Sequence, residues 1–239
     1  MGVKRVVLLA WLATALIGAN LARAVAVSDD FSSYPDENPW DTSSVPTWGA
    51  TAGSVAIDAA FGRTNQGMQL GDQARIFWLP GAGAFDQSAV QVFEYDFNVV
   101  AGRSSDGLAN MGAVLRPGDG DLSEFPVLVD FEKAVGQPAT GVVCCDVIEA
   151  IPGADGIELG QWHRLTIVLD YGAQTVSAKL DNNAFSTPAA FSNLNQMGAL
   201  QIYSGAGITN HDNVLAVPEP AALTLLGVGL VAVAGRRRR

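Results

Sequence analysis

Hydrophobic and polar residues alternate over several stretches of the chain. Phe93, Tyr95, Phe97 and Val99 fall on one side of a segment, with Glu94, Asp96 and Asn98 on the other. Val127, Val129 and Phe131 oppose Leu128, Asp130 and Glu132. Leu165, Ile167, Leu169 and Tyr171 oppose Arg164, Thr166 and Asp170, and Val176, Ala178 and Leu180 alternate with Ser177, Lys179 and Asp181. A period of two belongs to a strand with one face in a core and the other in water. Turn formers separate these segments: Pro152-Gly153-Ala154-Asp155-Gly156, Tyr171-Gly172-Ala173 and Asp181-Asn182-Asn183. No long amphipathic helix interrupts the pattern. Many short strands joined by such turns predict an all-β fold, an antiparallel two-sheet jelly-roll sandwich over residues 27–216.

The two ends follow different rules. Lys4 and Arg5 precede an apolar run, Val6 to Ile17, and small residues at Ala22, Ala24 and Ala26 offer cleavage positions. That order predicts a secretory signal peptide over residues 1–26. At the other end Val217-Pro218-Glu219-Pro220 is followed by an uncharged, mostly apolar run over 221–235 and then by Arg236, Arg237, Arg238 and Arg239. A helix of this run would be about 22 Å long at 1.5 Å per residue, short of the ~30 Å hydrocarbon core. Snorkelling arginines fill part of the gap, and their charge keeps that end cytoplasmic.

The arrangement over 217–239 resembles the PEP-CTERM sorting signal of Gram-negative bacteria. The resemblance implies recognition by an exosortase, cleavage near Pro218 to Pro220, a transient inner-membrane anchor through helix 221–235, and delivery to the cell surface or extracellular matrix. It gives a route and not an activity.

Charge changes the picture once the ends are set aside. The whole chain carries −10, but residues 27–217 hold seven basic and 23 acidic residues, a net of −16. A surplus of acid excludes a nucleic-acid binder, which needs Lys and Arg to neutralise phosphates. Hydrophobic residues at 49% and charged ones at 16% exclude a disordered chain.

Candidate chemistry is sparse. Glu94 and Asp96 share a strand face as glycosidase carboxylates do, but Asn98 stands where a third acid is needed, and an amide cannot protonate a leaving group. The expected reading is a solvated face. Asp130 and Glu132 form a second such pair. His163 is expected to be structural, and no zinc spacing, P-loop or GxGxxG occurs. Cys144 and Cys145 are adjacent, leaving open a vicinal disulfide, an intermolecular bond or two free thiols. Trp40, Trp48 and Tyr203 are candidates by type for glycan binding, with Trp40 and Trp48 open to either core or platform.

Gly160-Gln161-Trp162-His163-Arg164-Leu165 leading to Thr175-Val176-Ser177-Ala178-Lys179-Leu180-Asp181-Asn182 resembles a hairpin of laminin-G-like and concanavalin A-like lectin domains. Asp29-Asp30-Phe31 is similar to their first strand and His211-Asp212-Asn213-Val214 to their last. The resemblance implies that these terminal strands lie side by side, and that Asp30 and Asp212 match the position of a structural Ca²⁺. Calcium's preference for carboxylate and carbonyl oxygens agrees with this. The expected function is an exported, non-catalytic envelope or matrix protein, glycan-binding or structural. A carbohydrate-active enzyme of the same fold and a purely adhesive protein are the alternatives.

Overall fold

The four alternating stretches all form strands, and the buried faces are the predicted ones. A computed structural model describes residues 26–45, 47–49, 52–79, 90–117, 127–144, 147–191 and 197–218. The expected signal peptide up to residue 25, and Glu219, Pro220, the 221–235 helix and Arg236 to Arg239 of the sorting signal, lie outside these residues. Among the described residues no helix is long and apolar enough to cross a membrane.

The strands are β1 (Val27–Asp29), β2 (Val55–Asp58), β3 (Gly67–Leu70), β4 (Ala74–Trp78), β5 (Val90–Ala101), β6 (Ala109–Pro117), β7 (Val127–Lys133), β8 (Thr140–Cys144), β9 (Ile148–Ala150), β10 (Trp162–Asp170), β11 (Thr175–Leu180), β12 (Ala189–Ala190), β13 (Met197–Ala206) and β14 (Ile208–Pro218). The first sheet runs β12-β11-β10-β5-β14-β3-β2, with β1 also on β14, and the second runs β4-β13-β6-β7-β8-β9. Every pairing is antiparallel. The predicted neighbourhood of the terminal strands is observed: Val27 faces Ala216 and Asp29 faces Val214.

Phe93, Tyr95 and Phe97 of β5, Leu165 and Leu169 of β10, Val176 of β11, and Val127 and Val129 of β7 have no measurable exposure. Phe97 meets Phe131 across the two sheets, ring centroids 5.5 Å apart. Sheets joined this way bury one row of each strand and leave the alternate row to carry polar chemistry.

An aromatic cluster completes one part of the core. Phe31 lies 5.3 Å from Trp48, which lies 6.0 Å from Trp40 and 6.2 Å from Trp78. The Trp48 indole N–H donates to Asp29 Oδ2 at 2.8 Å, and the Tyr34 hydroxyl donates to the same oxygen. Trp40 is 5% and Trp48 2% exposed. Burial therefore corrects their candidacy as sugar platforms, because no ligand reaches either ring face. Trp48→Ala is expected to cost about 3–5 kcal/mol in chemical denaturation. A loss below about 1 kcal/mol, the size of a surface change, would place the cluster outside the core.

Candidate functional site

Each sheet carries a polar centre on its outer face, and the two are built differently. On the first sheet β14 is flanked by β5 along one edge and by β3 and then β1 along the other. Its register against β5 shifts between Asp212, opposite Asp96, and Leu215, opposite Glu94. The extra residue makes a β-bulge, and Asn213 takes the left-handed conformation there, φ +52°. Asparagine tolerates that region better than most residues.

The bulge aims the Asn213 amide at Asp96, which it reaches at 3.0 Å. Arg164 clasps the same carboxylate with Nε at 2.7 Å and Nη2 at 3.1 Å, and Arg63 adds Nη1 at 3.2 Å. Asp96 is 1% exposed. Burial works against its charge, but Arg164, Asn213 and Arg63 outweigh it and hold the carboxyl below the usual carboxylate range. The expected solvated face is thus corrected at Asp96 and at Asn98, which are both buried. Asp96 is an ion-pair hub and cannot supply a proton near neutral pH. Glu94 accepts from Thr166 Oγ1 at 3.1 Å and lies 3.9 Å from Arg164 Nη1. A groove of about 880 Å³ opens above this hub.

Asp30 and Asp212 come to neighbouring parts of this face with different partners. Asp30 is exposed and accepts from Ser32 N and Oγ, bonds that hold it below the usual range. Asp212 is buried and accepts from the backbone N–H of Arg63 at 2.8 Å and of Asn213 at 2.7 Å. Burial pushes its carboxyl up against these bonds. Among the described residues no three His, Cys, Asp or Glu side chains gather as a metal-holding set.

On the second sheet, Tyr203 of β13, Gly112 of β6 and Asp130 of β7 form one cross-strand row. The Tyr203 phenol crosses Gly112 and donates to Asp130 Oδ1. Asn110 Nδ2 donates to both Asp130 oxygens, at 2.8 and 3.1 Å. Two strand glycines make the room. A Cβ on Gly112 would stand 1.9 Å from Val129 O and 2.9 Å from Tyr203 Oη, and one on Gly205 would stand 2.4 Å from Asn110 Oδ1. Glycine weakens a strand interior and marks close approach, so both positions serve this trio.

No cation reaches Asp130 among the described residues. Burial drives its carboxyl above the usual range, and the bonds from Tyr203 and Asn110 only partly offset that. Burial and the Asp130 charge drive the Tyr203 hydroxyl far up, so it stays a phenol at all physiological pH. Asp130 is therefore the carboxylate held at a cost, whereas Asp96 is the neutralised one.

The histidines have structural surroundings. His163 Nδ1 lies 2.8 Å from Asp181 across the β10–β11 hairpin, and its ring packs on Phe97. His211 lies in the core against Tyr95, 2.9 Å from Thr209 Oγ1, and burial pushes its pKa down to about 3. Cys144 is half-buried on β8 and burial pushes its thiol up, while Cys145 and any pairing of the two lie outside the described residues.

Sequence reasoning named Tyr203 and Asp130 separately but missed Asn110 and the joining of the three. It also missed Arg63, which arrives from the β2–β3 connection. The two glycines that make room for the trio, Gly112 of β6 and Gly205 of β13, fall outside the four alternating stretches, so periodicity gave no signal for it.

Comparison with known proteins adds the following. Residues 216–239 match the PEP-CTERM protein-sorting motif. No curated protein matches the chain in sequence. In structure the chain is similar to a carbohydrate esterase from the Shiga toxin-encoding bacteriophage phi24B, at 14% identity over 82% of this chain and 99% of that one, with a TM-score of 0.51. It is similar to the catalytic domain of a glycoside hydrolase family 131 protein from Coprinopsis cinerea, at 12% identity over 80% and 93%, with a TM-score of 0.50. It is also similar to peanut lectin, at 15% identity over 81% and 98%, with a TM-score of 0.49. At these identities the likeness is one of fold. The chain thus carries a PEP-CTERM protein-sorting motif, which indicates export and exosortase-mediated sorting to the envelope, on a concanavalin A-like jelly-roll sandwich.

Proposed function

We propose that this exported surface protein binds glycan, without transforming it, on the outer face of its second sheet. The observation that carries this reading is Asp130: a half-buried carboxylate with hydrogen-bond donors but, among the described residues, no cation, held by Tyr203 and Asn110, which pack against two strand glycines. Burying such a charge lowers stability, so its use is expected to lie in a ligand. Sugar hydroxyls both donate and accept. They would donate to the remaining lone pairs of Asp130 and accept from the Asn110 amide, with the Tyr203 ring beside them. Solved structures of the same fold include proteins named as carbohydrate-active, which agrees with this ligand class.

A second reading has one observation in its favour. Glu132 follows Asp130 by two positions on the same strand face, a spacing of about 7 Å, within the range for two glycosidase carboxylates. The raised Asp130 carboxyl suits an acid. A glycan array probed with the full chain, followed by assays of product release on its hits, separates the two. Binding that Tyr203→Phe weakens by roughly three- to tenfold, the worth of one hydrogen bond, is expected. A blank array would end the glycan reading, and sugar release abolished by Glu132→Gln would replace binding with hydrolysis.

A further inference from the structure

The groove on the first sheet's outer face concentrates what the domain otherwise lacks. Residues 27–217 contain seven basic side chains against 23 acidic ones, and three of the seven, Arg63, Arg164 and Lys179, line this one groove. Five carboxylates, Asp29, Asp30, Glu94, Asp96 and Asp181, line it as well, each already accepting hydrogen bonds from the protein.

The hub leaves donor capacity unused. Arg164 spends its Nε–Nη2 edge on Asp96. Arg63 touches Asp96 only through Nη1, and its Nε–Nη2 edge makes no hydrogen bond among the described residues, with the side chain 42% exposed. A guanidinium edge presents two parallel N–H bonds, which match the two oxygens of a carboxylate. Asp96 fixes this fork in place, so little side-chain entropy is lost when a ligand arrives. Lys179 has no ion pair among the described residues. Its Nζ sits 5.1 Å from the Phe185 ring centroid, and Phe185 is 44% exposed. An exposed phenyl gives the apolar C–H face of a pyranose a surface to lie on. Asn182 and Thr64 line the same groove and offer hydrogen bonds to hydroxyls.

We propose that this groove is a second glycan site, selective for acidic sugars, in which a uronate carboxylate seats on the free fork of Arg63 with Lys179 beside it. On the Asp130 face, by contrast, no cation among the described residues stands beside the carboxylate to receive an anionic sugar. Sites on opposite faces of one sandwich let a single molecule tie an acidic polymer to a neutral one. That would give an acidic protein a defined hold on a polymer that its overall charge repels.

The test titrates the full chain with a fluorescent oligogalacturonate and, in parallel, with a neutral oligogalactan of the same length. The acidic probe is expected to bind, more weakly as salt rises. Arg63→Gln is expected to weaken it by roughly ten- to hundredfold, the range for a charge-assisted bidentate contact. Lys179→Gln is expected to weaken it less, and Tyr203→Phe not at all. Asp96 keeps its Arg164 clasp in Arg63→Gln; should that variant still melt early, Lys179→Gln decides, since Lys179 has no ion pair among the described residues to lose. Absence of oligogalacturonate binding at low salt, or binding unchanged in both cation variants, overturns the site. Loss in Tyr203→Phe with both cation variants intact also overturns it, by moving the probe to the other face. The neutral probe and the array report on that other face separately, so failure here leaves the Asp130 reading standing.

Discussion

Asp96→Ala is expected to destabilise the fold by about 3 kcal/mol, the lower part of the range for removing one partner of a buried ion pair. The carboxylate is 1% exposed and ties together Arg164 of β10, Arg63 of the β2–β3 connection and Asn213 at the β14 bulge. Its loss leaves two guanidiniums and an amide without their acceptor. The guanidiniums are 42% and 46% exposed and keep part of their water, which sets the figure at the low end. The effect has a sign in pH. A carboxyl held below its unfolded value adds stability above the ordinary carboxylate range and loses it as pH falls through the depressed folded value. Urea titrations across acid pH should therefore show a shallower acid decline in Asp96→Ala than in wild type. A cost under about 1 kcal/mol would reduce the hub to ordinary surface salt bridges.

Asp130→Asn is expected to do the opposite to stability while abolishing glycan binding. Asparagine keeps an oxygen for the Tyr203 hydroxyl but removes a half-buried charge that no cation among the described residues offsets. A gain of about 1 kcal/mol follows, which for a domain of this size raises Tm by about 2–4 °C. The pH dependence is also reversed. A carboxyl whose folded pKa is raised makes the wild type more stable as pH falls through that value, and the gain is complete below the unfolded value. Asp130→Asn should lack that gain. Acidification should likewise weaken sugar binding in wild type, because the protonated carboxyl has fewer acceptor sites. A stability gain joined to loss of function is the signature of a residue kept for its ligand.

Much of this fold was legible because alternation is a strong signal where one strand face is wet. The core rows of β5, β7, β10 and β11 could be read from the residues, and the β1–β14 pairing was implied by the resemblance to lectin domains. The strand β13 was not read as such, because Leu200, Gln201 and Ile202 are all buried and blur the period of two. Trp40 and Trp48 sit in a polar, proline-containing stretch, and only the contacts with Phe31 and Trp78 reveal them as core. The two polar centres depend on register. Tyr203, Gly112 and Asp130 are far apart in sequence and meet only because three strands place them in one row. Arg63 reaches Asp96 from a connection, where periodicity carries no information. The sorting motif was legible in full because its three parts are contiguous.

The most direct measurement is calorimetric titration of the strongest array glycan into the full chain and into Asp130→Asn at neutral pH, with Tm recorded for both. Saturable heat from the wild type, none from Asp130→Asn, and a higher Tm in the variant is the predicted result. Equal affinity in the two proteins would contradict a glycan site at Asp130, whatever the stability change.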